Sequence, residues 1–533
     1  MSTILYNGHI YSKKNHFVQA LVIENGYIVY SGSNEQAMTY QKENTILWNC
    51  EGKTIVPGFN DSHMHFYSTA LTLDAINFLG STSIQEVIDR GLQHLKNNPN
   101  HQGLLWGRGW NQDYFNDEKR LIHRYDLDRI TTQFPVVFSR ACGHVASCNS
   151  KALELLNLNK DMTVDGGAIG FDEQGDFDGV FYENAIKILE QLKTPVTSDS
   201  VIHHLKLAAQ AANACGITSV QTNDFLVGSK MSEIVEEGYQ RYVLDNPTVR
   251  IRHQICFTNI EAFHQRISQG YFPAVSHPFN QYGPLKIFTD GSLGARTALL
   301  KQPYHDDLST YGLACMSIEQ IDDFVSTAHQ NHIQVVAHAI GDAAIEHVLH
   351  SYARFSDSSN PLRHAIIHCQ ITDEPQLHRF KEHNILALVQ PIFLHYDLHI
   401  VKSRVGEALA KTSYAFNTME QLGVEVAYSS DAPVEPFNVI SGIHCAVNRQ
   451  DLHDFPIGGF NPDECVDVAT AIDSYTIKGA YASFEENIKG RLWPGYMADL
   501  VILSQDIFSV PKDQIKFVEI EKTMVNGQFV YIK

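Results

Sequence analysis

Two histidines stand two residues apart in Pro57-Gly58-Phe59-Asn60-Asp61-Ser62-His63-Met64-His65. In extended backbone such residues share a face, so both rings project to one side and can share a cation. Two further imidazoles close apolar runs, at Val335-Val336-Ala337-His338 and Ile366-Ile367-His368, and Tyr428-Ser429-Ser430-Asp431 ends another run on a carboxylate. Each has a bland reading by itself: a chance pair among 27 histidines, a hydrogen-bonded core imidazole, an aspartate capping the next segment. Together they read as a metal-binding set, with Asp431 both ligand and proton carrier.

Lys286 lies inside the apolar run Pro284-Leu285-Lys286-Ile287-Phe288, where an ammonium beside metal cations is repelled and poorly solvated. Burial lowers a lysine pKa, and the neutral amine can take up carbon dioxide to become a carbamate, an anionic ligand able to bridge two metals. The competing reading pairs Lys286 with Asp290 or another acid.

Ligands spread from residue 63 to residue 431 need a scaffold that gathers them on one rim. Short β-branched runs alternate with helix-period segments, the pattern of a parallel sheet wrapped by helices. Eight strands are expected: Thr54 to Val56 leading into His63, Ile217 to Gln221, Val249 to Gln254, Leu285 to Phe288, Gln334 to His338, His364 to His368, Ile385 to Gln390 and Val424 to Ser429. Barrel enzymes place their chemistry at the carboxyl ends of the strands, and the first, fourth, fifth, sixth and eighth runs carry a candidate ligand there. The stretch from about 66 to 200 is too long for a βα connection and is expected to be an insertion that covers the site. At the ends of the chain, Asn25-Gly26 and Asn526-Gly527 each separate two β-like runs, a strong hairpin signal. The expected fold is α/β: a distorted (β/α)₈ TIM-type barrel over residues 58–488, with a small β-sandwich built jointly from residues 1–57 and 489–533.

A length of 533 residues suits a large barrel plus a smaller domain. The net charge of −20, from 40 basic and 60 acidic residues, would repel a phosphate backbone, and no basic patch offsets it, so nucleic acid is excluded as a partner. Nine cysteines without a CxxC pair argue against a disulfide framework or a thiolate zinc knuckle and fit a reducing, cytoplasmic setting. No run approaches the ~20 apolar residues of a membrane span, and the start lacks an export signal, so membrane association is not expected.

These segments resemble the amidohydrolase superfamily, and within it the amidohydrolase-3 group of proteins similar to N-substituted formamide deformylase. The resemblance is carried by Pro57 to His65, Arg140-Ala141-Cys142-Gly143-His144 with Asn149-Ser150, Lys286 to Gly294, His338-Ala339-Ile340-Gly341-Asp342, His368 and Ser430-Asp431-Ala432-Pro433. Gly490-Arg491-Leu492 with Gly495 and Ala498 to Val501 resembles the segment that re-enters the β-sandwich. The resemblance implies one or two divalent metals, usually zinc, with His63, His65, His338, His368 and Asp431 as ligands and Lys286 at the bridging position. It also makes Glu183 a second candidate for the bridge. Ala343 departs from the pattern, since relatives often carry a basic residue after the Gly-Asp, and this bears on substrate contacts.

The expected chemistry is hydrolysis of an amide-like, non-peptide carbon–nitrogen bond by hydroxide that a metal generates, the pKa of bound water falling from 15.7 towards ~7. Asp431 would take the proton and pass it to the leaving nitrogen, with His144 a candidate to stabilise the oxyanion. Trp110 is a candidate for a substrate-pocket wall, against a core role, and Arg449 for holding a substrate carboxylate, against a structural ion pair. Rival readings are a lactone, cyclic urea or phosphoester substrate, and a non-catalytic regulator that keeps the fold. The expected partner is a small-molecule substrate, with a homodimer left open.

Overall fold

The structure, a computed structural model, describes residues 2–99, 101–142, 144–193, 195–271 and 277–533. The chain forms two compact units, one of residues 1–69 and 198–533 and the other of residues 70–197.

The larger unit contains eight parallel strands hydrogen-bonded in chain order: β1 (Phe59–Met64), β2 (Ile217–Thr222), β3 (Arg250–Phe257), β4 (Asn280–Phe288), β5 (Val335–Ala339), β6 (Ala365–His368), β7 (Leu386–Val389) and β8 (Val426–Tyr428). Their residues are buried almost throughout because helices cover the outer face, which is why the runs read as continuously apolar rather than alternating. Capping boxes start the helices that follow β4 and β6: Ser317 pairs reciprocally with Gln320, and Asp373 with Gln376. β1 and β8 share no regular ladder, yet they meet. The His65 N–H donates to the Ala432 carbonyl at 2.7 Å, and the Asp431 N–H donates to the His63 carbonyl at 2.9 Å.

The first strand differs from the sequence expectation. Thr54–Pro57 does not run into the barrel; it pairs with Leu500–Leu503 and His9–Lys13 in a sheet made by the two chain ends. Gly58 is the switch, its N–H donating to the Asp499 carbonyl while the next N–H, of Phe59, donates to the Gly216 carbonyl. A Cβ at Gly58 would stand 2.3 Å from the Thr218 hydroxyl oxygen, so only glycine lets the backbone pass that close to β2.

The end sheet runs in the order Gln528–Ile532, Ile520–Val525, Leu500–Leu503, Thr54–Pro57, His9–Lys13, His16–Val18, and a four-stranded sheet packs on it. Leu5, Leu21, Ile23 and Ile28 of one meet Ile10, Ile55, Leu500, Ile502 and Met524 of the other. Both Asn-Gly hairpins form, with φ of 51° and 85° at Asn25 and Gly26 and 52° and 76° at Asn526 and Gly527, as a two-residue turn with both central residues left-handed requires.

Residues 70–197 have a core of their own. A six-stranded sheet from Ile76–Asn77 to Gly167–Phe171 packs Phe78, Trp110, Phe115 and Phe138 against Val87 and Ile88 of the helix Ile84–Asn97.

Because the Gly58 crossing has no room for a methyl group, Gly58→Ala is expected to destabilise the protein by about 1–3 kcal/mol. Thermal unfolding should show a lowered midpoint, partly restored when Thr218→Ala is added.

Candidate metal centre

At the carboxyl end of β1, His63 and His65 turn their Nε2 atoms to one oxygen of Asp431, at 3.2 and 3.4 Å from its Oδ1. These three side chains offer ligand atoms that all lie within 4.8 Å of one another. The His368 ring stands edge-on to His63 with centroids 5.7 Å apart and to His338 at 4.4 Å, so the imidazoles of β5 and β6 adjoin the group formed by His63, His65 and Asp431.

Each ring is held from behind. The Nδ1 of His63 meets Gln254 Oε1 at 2.6 Å, that of His65 the Asn223 carbonyl at 2.6 Å, and that of His368 Gln390 Oε1 at 2.8 Å. The two glutamines are themselves oriented, Gln254 donating to the Ser62 carbonyl and Gln390 to the Ser429 hydroxyl. With Nδ1 protonated to donate, the Nε2 lone pair faces the centre. His338 is turned the other way, its Nε2 set against the Gly291 carbonyl at 3.1 Å and Asp290 Oδ1 at 3.3 Å, which leaves Nδ1 for the centre.

Burial pushes the His63 pKa down to about 3 and that of His368 well below its ordinary value, so both rings are neutral at pH 7, as metal ligation requires. Burial opposes the Asp431 carboxylate too, but the facing imidazoles of His63, His65 and His368 outweigh it and hold its pKa well below the usual range. Its Oδ1 is buried with no hydrogen-bond partner among the described residues. Two ring nitrogens and an unpartnered anionic oxygen within 4.8 Å of one another, with the neutral His368 ring beside them, are a donor set that a divalent cation fits.

Backbone strain marks the same place. His368 and Asp431 have φ of 80° and 57°, left-handed values that cost a non-glycine residue on the order of 1–3 kcal/mol and persist where the surroundings enforce them.

Lys286 is 1% exposed on β4, and its Nζ has no hydrogen-bond partner among the described residues; it lies 4.8 Å from the centroid of the Phe288 ring. Burial lowers its pKa to about 8. The alternative pairing with Asp290 does not occur, because that carboxylate accepts the N–H groups of Leu299, Ile340 and Gly341.

Two expected substrate contacts give way to packing. Arg449 is fully buried, donating from Nε to the Phe460 carbonyl and from Nη1 to the Tyr414 carbonyl, with its guanidinium over Phe416. It makes neither an ion pair, among the described residues, nor a contact an incoming carboxylate could use. Trp110 is fully buried in the core of the 70–197 unit with Nε1–H donating to the Phe138 carbonyl, so the core role is the one observed. In that same unit His144 Nδ1 and Glu183 Oε2 pair at 2.7 Å, both exposed, with Glu183 at φ 49°. Gly143, between Cys142 and His144, lies outside the described residues.

Residues 47–531 match the amidohydrolase family. The chain belongs to that family. It is 30% identical to YtcJ of Bacillus subtilis (strain 168) over the whole of both chains. It is 24% identical to N-substituted formamide deformylase of Arthrobacter pascens, covering 97% of this chain and 96% of that one. Among solved structures, an uncharacterized metal-dependent hydrolase from Pyrococcus horikoshii OT3 superposes with a TM-score of 0.77 at 28% identity, over 96% of this chain and 99% of that chain.

Within this amidohydrolase-family fold, the sequence reading missed the residues that aim the ligands: Asp61, Asn223, Gln254, Asp290 and Gln390. For Gln390 a signal exists, since it is an amide closing the apolar run Leu386–Val389, whereas Gln254 sits inside Arg250–Phe257 among polar neighbours. Asp61 is the most embedded. Its carboxylate accepts the N–H of His63 at 3.2 Å, the N–H of Ser430 at 3.1 Å and the Ser430 hydroxyl at 2.5 Å, joining the backbones of β1 and β8 beside His63 and Asp431.

Asp61→Ala should therefore loosen the ligands without removing any of them. Divalent-metal affinity, measured by chelator competition, is expected to fall about 10–100-fold while circular dichroism stays unchanged.

Proposed function

We propose that this protein is a metal-dependent hydrolase of amide-like, non-peptide carbon–nitrogen bonds, with His63, His65, His338, His368 and Asp431 holding one or two divalent ions, zinc foremost. The meeting of the His63–His65 pair with the unpartnered Asp431 carboxylate at the carboxyl ends of parallel barrel strands, with His368 and His338 adjoining, supports the reading. A bound divalent ion supplies Lewis acidity, polarising a carbonyl and acidifying water.

The chain's own groups do the rest. Neutral His63 and His368 add no positive charge to repel a cation. Asp431, ionised and fixed by the β1–β8 hydrogen bonds, takes a proton from the attacking water and returns it to the leaving nitrogen. Lys286 fits the bridging role as a carbamate: its neutral amine adds to carbon dioxide, forming an N–C bond and releasing one proton, and no carboxylate competes for it. Glu183 is engaged by His144 inside residues 70–197, and the reading requires neither. The choice of a carbon–nitrogen bond follows the relative named N-substituted formamide deformylase, similar over 97% of this chain.

Purified protein is expected to contain one or two equivalents of divalent metal by mass spectrometry and to lose turnover of simple amides on chelation. Asp431→Asn should reduce kcat roughly 10²–10⁴-fold with metal content retained at half or more. Turnover confined to esters, lactones or phosphoesters would displace the amide assignment. In metal-stripped protein, labelled bicarbonate should be taken up at Lys286 increasingly as pH rises through about 8, because only the neutral amine reacts; uptake that survives Lys286→Ala would move the bridge elsewhere.

A further inference from the structure

A cavity of about 690 Å³ opens at the carboxyl ends of β2, β3 and β4. Lys286 and Phe288 line it, and the Phe288 ring lies 5.5 Å from that of His338, so the cavity adjoins the metal-binding set. Its size is that of a small-molecule site.

Its walls are aromatic. Phe225, Phe257, Phe288 and Phe324 face it, and all but Phe288 are buried. A second tier of rings fixes them: Phe263 lies 4.9 Å from Phe257 and 5.8 Å from Phe324, and His253 lies 4.8 Å from Phe225. An apolar wall held this way keeps its shape when a planar group enters, so little ordering entropy opposes binding.

Its charges are one-sided. Asp224, Glu261 and Asp323 line the cavity, and among the described residues the basic residue lining it is Lys286. Asp224 is held by the N–H groups of Tyr67 and Ser68 and by the hydroxyls of Thr222 and Tyr239, none of which cancels its charge. Glu261 and Asp323 are exposed and form no salt bridge among the described residues. Lys286 is buried, and as a carbamate it would add a further negative charge. An anionic ligand would meet repulsion from these carboxylates and, among the described residues, find no guanidinium or ammonium at the rim to answer it.

We propose that this cavity takes an uncharged aryl or aralkyl group of the substrate and rejects substrates carrying a carboxylate, N-acyl amino acids among them. The inference rests on the amide-hydrolase reading only in placing this group on an amide; the binding preference itself is set by the cavity wall.

The probes are N-benzylacetamide and the anion of N-acetylphenylalanine, which share a ring and an amide and differ chiefly in the carboxylate. Titration calorimetry on the full-length, metal-loaded protein should give at least tenfold tighter binding of the neutral probe. Phe257→Ala should weaken that binding about tenfold, and Glu261→Lys with Asp323→Lys, both at exposed positions, should narrow the preference to threefold or less. Equal or tighter binding of the carboxylate, no binding of either probe, or a preference untouched by these substitutions would overturn the proposal. The preference without hydrolysis of any amide would remove the proposed reaction and leave the cavity assignment standing. Hydrolysis of both probes with equal kcat/KM and equal affinity would do the reverse.

Discussion

An eight-stranded parallel sheet that curls on itself brings its last strand to its first, and here the junction is made by the residues at the candidate metal centre. The backbone of His63 accepts from Asp431, the backbone of His65 donates to Ala432, and the Asp61 carboxylate takes up both the N–H and the hydroxyl of Ser430. Nearly closing the barrel and setting the distance between the histidine pair and Asp431 are thus one event. The left-handed conformation of Asp431 belongs to this junction: the turn after β8 must both meet β1 and point a carboxylate back at its imidazoles.

Burial then gives these groups their chemistry. Removed from water, His63 and His368 lose affinity for protons and become lone-pair donors. Lys286 is caught in the same environment with no hydrogen-bond partner among the described residues, and burial outweighs the nearby Cys256 and Asp431 in disfavouring its ammonium form. The polar residues behind the rings are as much part of the arrangement as the ligands. Each amide or carbonyl that accepts from a ring nitrogen determines which nitrogen of that ring is free.

The eight barrel strands were largely legible because short β-branched runs alternate with helix-period segments along the chain, and the two Asn-Gly hairpins were legible because their turn needs residues that tolerate positive φ. The reading erred at Thr54–Pro57, where one continuous run of strand-forming residues serves two sheets. The expected domain boundary fell between residues 57 and 58, yet the strand was expected to run through it; the carbonyls of Asp499 and Gly216 that receive the chain at Gly58 and Phe59 come from distant segments. Trp110 and Arg449 were misjudged for a related reason. Aromatic and cationic side chains are at home in both pockets and cores, and only the carbonyls waiting for their N–H groups decide between them.

Residue types and spacing by themselves determined the class of fold and the two-residue separation that puts His63 and His65 on one side of a strand, because strand geometry follows from short-range pattern. Which ring nitrogen each histidine presents, the isolation of the Lys286 amine, and the acid-lined aromatic cavity beside it were decided only by tertiary structure. Those properties depend on what lies within a few ångströms after folding, and for each of them the neighbour comes from another strand.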